Sequence, residues 1–506
     1  GALRWAAPQP PLPFKGIYQA TQSGPEPLQE SFVTGRVFGS EDCLYLNVWV
    51  PKTKRPGPLP VMYWIHGGAQ VIGSSNQKVG MLSLYDGAAL AKKGEVIVVS
   101  VNYRLGPMGF FAHPDLVKMD PNGSTGNYGI MDLIAGLQWV QKNIENFGGD
   151  KSRVTIFGES AGGANVLALL ASPPAKGLFS RAIVQSGLFY DILKEKAFAQ
   201  GRKISRHYSE NGSELSIGQL KKIDGKRITK DFPLLTPYGE PRQEFGPMWG
   251  DYVLPLPVLK AIQDNKHNSV PLIIGTNGDE MKVLGPIFLK GVPENLSDKD
   301  YLDFVSELLG KELAEVATRA YTKEKYGSNR AAIAALFEDE KFHSAAAQVA
   351  KAMANSDTAV PTYRYLFNEK VNYVGAGHAV ELAYTFQSKP LMFLLNHRIL
   401  NPLRTPFIAS KHLALSNLMI RYWTNFAHSG NPNSPDDPNA RGGWLRASSG
   451  NIMEFKSAGS QMIPASSFRS RETAFWNRLS RQRAAVPAVS LGSAAQCEAM
   501  WIPTGL

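Results

Sequence analysis

Gly158-Glu159-Ser160-Ala161-Gly162 sets one serine hydroxyl between two glycines. It directly follows the apolar run Val154–Phe157, and its last glycine opens GGANVLALLA, a stretch of helical composition. A serine on a sharp strand-to-helix turn is held out of its sheet with the hydroxyl exposed, and the flanking glycines are needed because a Cβ would strike neighbouring backbone. The helix start also turns positive dipole toward developing negative charge. Such a serine is a candidate nucleophile for acyl transfer, a chemistry that needs a base, a group to orient the base, and donors for an oxyanion. His66-Gly67-Gly68-Ala69 follows the run Val61–Ile65. A glycine-rich turn there is either an ordinary tight turn or the place where successive N–H groups converge on one point. Glu280 lies just beyond Leu272–Ile274, in GTNGDE, with Asp279 as the competing carboxylate. His378 follows Tyr363–Phe367, in GAGH. Functional loops of α/β sheets gather at such strand ends, and serine, acid, histidine is a chain order that hydrolase triads take. His113, His207, His267, His343, His412 and His428 lack these settings and read as surface or core residues.

The elements that must hold these residues are visible as alternation. Val61–Ile65, Val96–Val101, Val154–Phe157, Ala182–Val184, Leu272–Ile274 and Tyr363–Phe367 are short continuous apolar runs, the mark of strands buried on both faces of a parallel sheet. Between them, Ile130, Leu133, Ile134, Leu137, Val140 and Ile144 recur at helical spacing within Gly129–Phe147, and Gly148-Gly149 stops the helix. The pattern predicts α/β architecture: one domain over residues 1–480, with insertions at about 190–270 and 282–355, and a tail over 481–506. The first insertion is polar, proline-rich and weakly periodic, and is expected to cover the site. A helical block is expected from Lys299 to Met353. The tail is Ala-, Ser- and Pro-rich and reads as a loose extension.

The chain has 506 residues, enough for a large core, and no apolar run long enough to cross a bilayer. Its net charge is +11, but the Lys and Arg are scattered, and neither an RNA-recognition signature nor zinc-finger spacing is present, so no nucleic-acid partner is expected. Three sequons, at Asn122, Asn211 and Asn295, are near chance in a chain of this length. Two cysteines, Cys43 and Cys497, fix no compartment.

Several longer segments carry a resemblance: SEDCLYLNVWVP from Ser40, VSVNYRLGPMGF from Val99, GNYGIMDLIAGLQWVQKNIENFGGD from Gly126, FGESAGG from Phe157, GAGHAVELAYTF from Gly375 and YWTNFAHSGNPN from Tyr422. With these the chain resembles the type-B carboxylesterase family, which includes cholinesterases, fungal lipases and p-nitrobenzyl esterases, from about Gly1 to Trp476. The resemblance implies an α/β-hydrolase fold, a central mostly parallel sheet flanked by helices with an inserted cap. It implies Ser160 as nucleophile, His378 as base and Glu280, not Asp279, as acid. The oxyanion donors would be the N–H groups of Gly68, Ala69 and Ala161. It further implies two structural ion pairs, Arg4 with Glu41 and Arg104 with Asp150. No metal or organic cofactor is implied. Ala69 stands where a third glycine is usual, Gln70 where an aromatic is usual, Met281 for a glycine and Asn165 for a serine. The cysteine partner of Cys43 would fall near Pro27-Leu28 and is missing, so Cys43 is expected as a free buried thiol, with a Cys43–Cys497 bridge as the alternative. Residues 30–40 contain no Trp, which argues against choline selectivity. Leu3-Arg4-Trp5 resembles a motif that the family precedes with further chain, so the sequence is expected to begin inside the protein; its compartment is left unknown, with secreted or periplasmic as the candidates.

The expected activity is hydrolysis of small carboxylic esters of short to medium acyl chain through an acyl-enzyme. The alternatives are a lipase or sterol esterase on longer chains and a non-catalytic adhesion protein of the neuroligin type, which the intact serine, acid, histidine and oxyanion turn oppose. Within the family, turns of the Gly-Gly-Gly or Gly-Gly-Ala kind lie flat along the pocket, which predicts room for esters of tertiary alcohols.

Overall fold

The computed structural model describes residues 1, 3–31, 34–53, 56–79, 82–190, 192–232, 244–356, 360–388, 391–392, 410–434, 443–469 and 472–476. Nine strands form the main sheet: β1 (Leu46–Trp49), β2 (Leu59–Ile65), β3 (Ile97–Val101), β4 (Gly149–Glu159), β5 (Arg181–Gln185), β6 (Leu272–Asn277), β7 (Thr362–Phe367), β8 (Asn451–Phe455) and β9 (Gln461–Pro464). They run β9-β8-β7-β6-β5-β4-β2-β3-β1 across the sheet. Strands β2 to β8 are parallel to their neighbours within that set, while the edge strands β1 and β9 are antiparallel. The six runs expected as strands are β2 to β7.

Helices α1 (Tyr128–Asn143), α2 (Ala161–Ala171), α4 (Ser344–Ala354) and α5 (Ser410–Ser429) pack on this sheet, while α3 (Lys194–His207) lies against a separate two-stranded ribbon, Ile192–Leu193 with Met248–Trp249. Every residue of β2 and β3 is buried, because both faces are covered. Val61, Tyr63 and Ile65 join one core with residues of α1 and α2, while Met62 and Trp64 join a second core with Leu415, Met419 and Trp423 of α5. The helix expected over 129–147 is α1 followed by a tight 3-10 turn, Ile144–Phe147, which Gly148 ends at φ 78°.

The segment read as weakly periodic contains α3, a helix of 14 residues whose buried positions are Gly201, Ile204 and Ser205. So narrow a buried face leaves little apolar spacing to read. Residues 298–354 form a block of helices, as expected, broken at Gly310, Tyr321-Thr322 and Gly327-Ser328, with one π turn, Asp339–His343, leading into α4. Cys43 is a free, buried thiol, and burial pushes it up to about 12. Cys497 and the tail lie outside the described residues. Among the described residues no helix is long and apolar enough to cross a membrane.

Candidate active site

Strand β4 and helix α2 meet at Ser160, which takes φ 57° and ψ −124°. A non-glycine residue there is strained and must be held by its surroundings. Its N–H donates to Gln185 O on β5 at 2.9 Å, and its carbonyl accepts from Ala164 N–H at 2.9 Å. A Cβ on Gly162 would lie 2.1 Å from Ile65 O. Only glycine therefore lets α2 begin this close to the end of β2.

The turn after β2 lies directly against the serine, since a Cβ on Gly67 would sit 3.0 Å from Ser160 Cβ. Gly68, Ala69 and Gln70 all have positive φ, at 113°, 52° and 65°. The bonds shaping this turn consume carbonyls. Gly68 O accepts from Val71 and Ile72 N–H at 3.1 and 3.0 Å, and Gln70 O accepts from Gly106 N–H at 2.7 Å. Gly67 O lies 2.8 Å from His66 Nδ1. Ala161, as the first residue of α2, carries one of the N–H groups that a helix cannot satisfy internally.

Glu280 is fully buried at the end of β6, and its Oε2 lies 2.7 Å from His378 Nδ1. Its Oε1 accepts from Ser186 Oγ at 2.6 Å and Asn277 N–H at 2.8 Å, while its own N–H donates to Glu338 at 3.1 Å. Asp279 faces away, accepting from Lys370 Nζ and Ala376 N–H at 2.8 and 2.9 Å. Of the two competing carboxylates, the structure thus brings Glu280 to His378. Phe342, from the π turn, packs on the His378 ring with centroids 5.0 Å apart. His378 Nε2 lies 3.1 Å from Glu159 Oε1 and makes no hydrogen bond to Ser160 Oγ in this conformation. Unliganded hydrolases often show this bond loose or unformed.

Charge is concentrated beneath the site. Burial pushes the Glu159 carboxyl up to about 8, with His378 opposing and Glu381 and Glu280 reinforcing the shift. Burial alone would lower His378, but the charge of Glu159 and the hydrogen bond and charge of Glu280 reverse this and raise it to about 9. Burial likewise raises Glu381 to about 7, although Asn277 Nδ2 and Gln185 Nε2 donate to it at 2.5 and 3.1 Å. Sequence reasoning gives Glu159, Ser186, Glu338, Phe342 and Glu381 no role. Glu159 sits inside the serine motif and is the one that a search for carboxylates beside a nucleophile would find. Two of the other histidines are bonded elsewhere: His343 Nδ1 meets Thr276 Oγ1 at 2.7 Å, and His412 Nδ1 meets the Tyr384 hydroxyl at 3.0 Å.

The two expected ion pairs fare differently. Arg4 Nε donates to Glu41 Oε2 at 2.8 Å, and the Arg4 hydrogen bonds hold the Glu41 carboxyl down to about 2. Arg104, however, pairs with Asp132 and not with Asp150. Its Nε and Nη2 each donate to the Asp132 carboxylate at 2.7 Å. Asp150 instead accepts from Arg153 Nε at 2.6 Å. The register explains the correction. Val61 pairs with both Ile97 and Val154, so Asp150, before Val154, lies at the opposite end of the parallel sheet from Arg104, which follows β3.

The carboxylesterase family model matches residues 1–476. The fumonisin B1 esterase of Sphingopyxis macrogoltabida is 35% identical over 479 residues, covering 90% of this chain and 81% of that one. The para-nitrobenzyl esterase of Bacillus subtilis (strain 168) is 35% identical over 451 residues, covering 86% and 84%. Liver carboxylesterase 1 of Oryctolagus cuniculus is 30% identical over 537 residues, covering 96% and 88%. Among solved structures, a thermophilic pNB esterase superposes with a TM-score of 0.75 at 31% identity, over 93% of each chain. With a serine elbow on the central sheet and a histidine–carboxylate pair at its side, these likenesses place the chain in the carboxylesterase family, as a hydrolase of carboxylic esters.

Proposed function

We propose that Ser160 is the nucleophile, His378 its base and Glu280 the acid that orients His378, with the N–H groups of Gly68, Ala69 and Ala161 as oxyanion donors. The 2.7 Å contact between Glu280 Oε2 and His378 Nδ1 carries this reading. It orients the imidazole so that Nε2 is left to take a proton. Ser160 Oγ attacks the ester carbonyl carbon while its proton passes to His378 Nε2, which turns from Glu159 to the serine. The tetrahedral oxyanion collapses, the alcohol leaves with the proton from His378, and an acyl-enzyme remains. Water, deprotonated by the same base, then releases the acid. Ser160→Ala is expected to keep the fold and to lose up to about 10⁶ in kcat on p-nitrophenyl acetate. Activity within tenfold of the parent contradicts the assignment.

The turn supports a reading of the alcohol side. The carbonyls of Gly67, Gly68 and Gln70 are bonded to groups of their own surroundings, which supports a flat wall with room for a quaternary carbon beside the ester oxygen. The Ala69 methyl takes part of that room. Esters of tertiary alcohols are therefore substrates, and Ala69→Gly raises activity on them relative to p-nitrophenyl acetate. Product release from tert-butyl acetate by the parent and by Ala69→Gly, with Ser160→Ala as blank, tests this. No turnover by either active form contradicts the pocket shape and leaves the triad standing.

A further inference from the structure

Three side-chain hydrogen bonds cross from the turn after β2 to the first turns of α2. Gln70 Nε2 donates to Asn165 Oδ1 at 2.7 Å, and Asn165 Nδ2 donates back to Gln70 Oε1 at 3.2 Å. Gln70 Nε2 also donates to Ala161 O at 3.3 Å. Both residues are fully buried. Asn165 additionally meets the Tyr103 hydroxyl, which donates to His66 O at 2.9 Å. These are two of the positions at which the chain departs from the family's residues, and the two departures satisfy each other.

The placement gives the pair a task. The proposed oxyanion donors sit on two separate elements, Gly68 and Ala69 on the turn and Ala161 on the helix. Gln70 directly follows Ala69, and Asn165 lies one helical turn beyond Ala161, so the amide pair bridges the two donor groups. We propose that Gln70 and Asn165 are positioning residues that set the spacing of the oxyanion donors. The proposal rests on the oxyanion role assigned above. A fully satisfied buried polar pair is rigid, whereas a pair deprived of one member lets the turn relax. Misplacing reacting groups by about 1 Å costs on the order of 10²-fold, and losing one donor about 10²- to 10³-fold, in rate.

The test compares Gln70→Leu, Asn165→Leu and the double variant in the full chain. Readouts are kcat and KM on p-nitrophenyl acetate, inhibition by an aryl trifluoromethyl ketone, and Tm. The ketone adds to Ser160 Oγ as a tetrahedral oxyanion, with the serine proton on His378, and so reads the donors directly. Each single variant should lower kcat about ten- to a hundredfold and weaken the ketone by the same factor, with KM within about threefold. The double variant should lose no more than the worse single variant, because the pair acts as one unit. A folded single variant that keeps kcat and ketone inhibition within twofold overturns the proposal, as does a rise in KM with kcat unchanged. If the leucine variants do not fold, Asn165→Ser is held to the same criteria. Ser160→Ala, run alongside, reports on the underlying triad reading by itself: if it retains activity, that reading falls and this proposal with it. A dead Ser160→Ala beside fully active Gln70 and Asn165 variants overturns only the proposal.

Discussion

The Glu159 carboxyl, buried and 3.1 Å from His378 Nε2, competes with Ser160 for the proton-carrying face of the imidazole. In its charged form it holds the proton on His378, whose value it helps raise to about 9. Only the neutral imidazole can serve as base, so the acid limb of kcat/KM should lie above the ordinary histidine range. Glu159→Gln removes the charge, lowers the His378 value and moves that limb to lower pH. A pH profile of kcat/KM for both forms checks the direction, and an unmoved limb contradicts it. The choice between neighbouring carboxylates is tested in the same assay. Glu280→Gln leaves His378 without its orienting negative partner and is expected to lose about 10⁴ in kcat, by analogy with the amide substitution of a triad acid. Asp279→Asn, which touches Lys370 and Ala376 but not His378, should stay within tenfold. At this scale the positions of Ser160, His378 and the Asp279–Glu280 pair at strand ends were legible, because each follows an apolar run within a short polar or glycine-rich signature; the choice of Glu280 over Asp279 rested on the family resemblance. The contact of Glu159 was not, because it is made only when β4 and the loop after β7 end side by side.

Among the elements, the ion pair at the end of β3 gives the clearest prediction. Arg104 and Asp132 are buried and doubly bonded, joining the loop after β3 to α1. Breaking a buried pair by removing one partner costs about 3–5 kcal/mol. Arg104→Ala or Asp132→Ala should therefore lower the unfolding free energy by about that much in a urea titration. Asp150→Ala, which loses a partly exposed contact with Arg153, should cost at most about 1 kcal/mol. Equal losses at Asp132 and Asp150 would contradict the observed pairing. Strands β2 to β7 were readable from continuous apolar runs because both their faces are covered. β9 was not, since Gln461 and Pro464 leave its ends exposed, nor was α3, which buries too few side chains to set a period. The partner of Arg104 needed the strand register, which a sequence does not display.

Across the whole molecule, two cores lie on opposite faces of one sheet, and the loops at the shared end of β2, β4, β6 and β7 carry every proposed catalytic group. The described thiol, Cys43, is buried and raised to about 12, so it does not compete as a nucleophile. One serine, Ser160, is proposed to take the acyl group. Intact-mass measurement after treatment with a fluorophosphonate, whose phosphorus bonds to serine Oγ as fluoride leaves, reads that directly. The predicted result is one adduct per chain, on the peptide carrying Ser160, with activity lost in step and no adduct on Ser160→Ala. An adduct on another residue, or esterase activity persisting in the fully modified protein, would contradict the account.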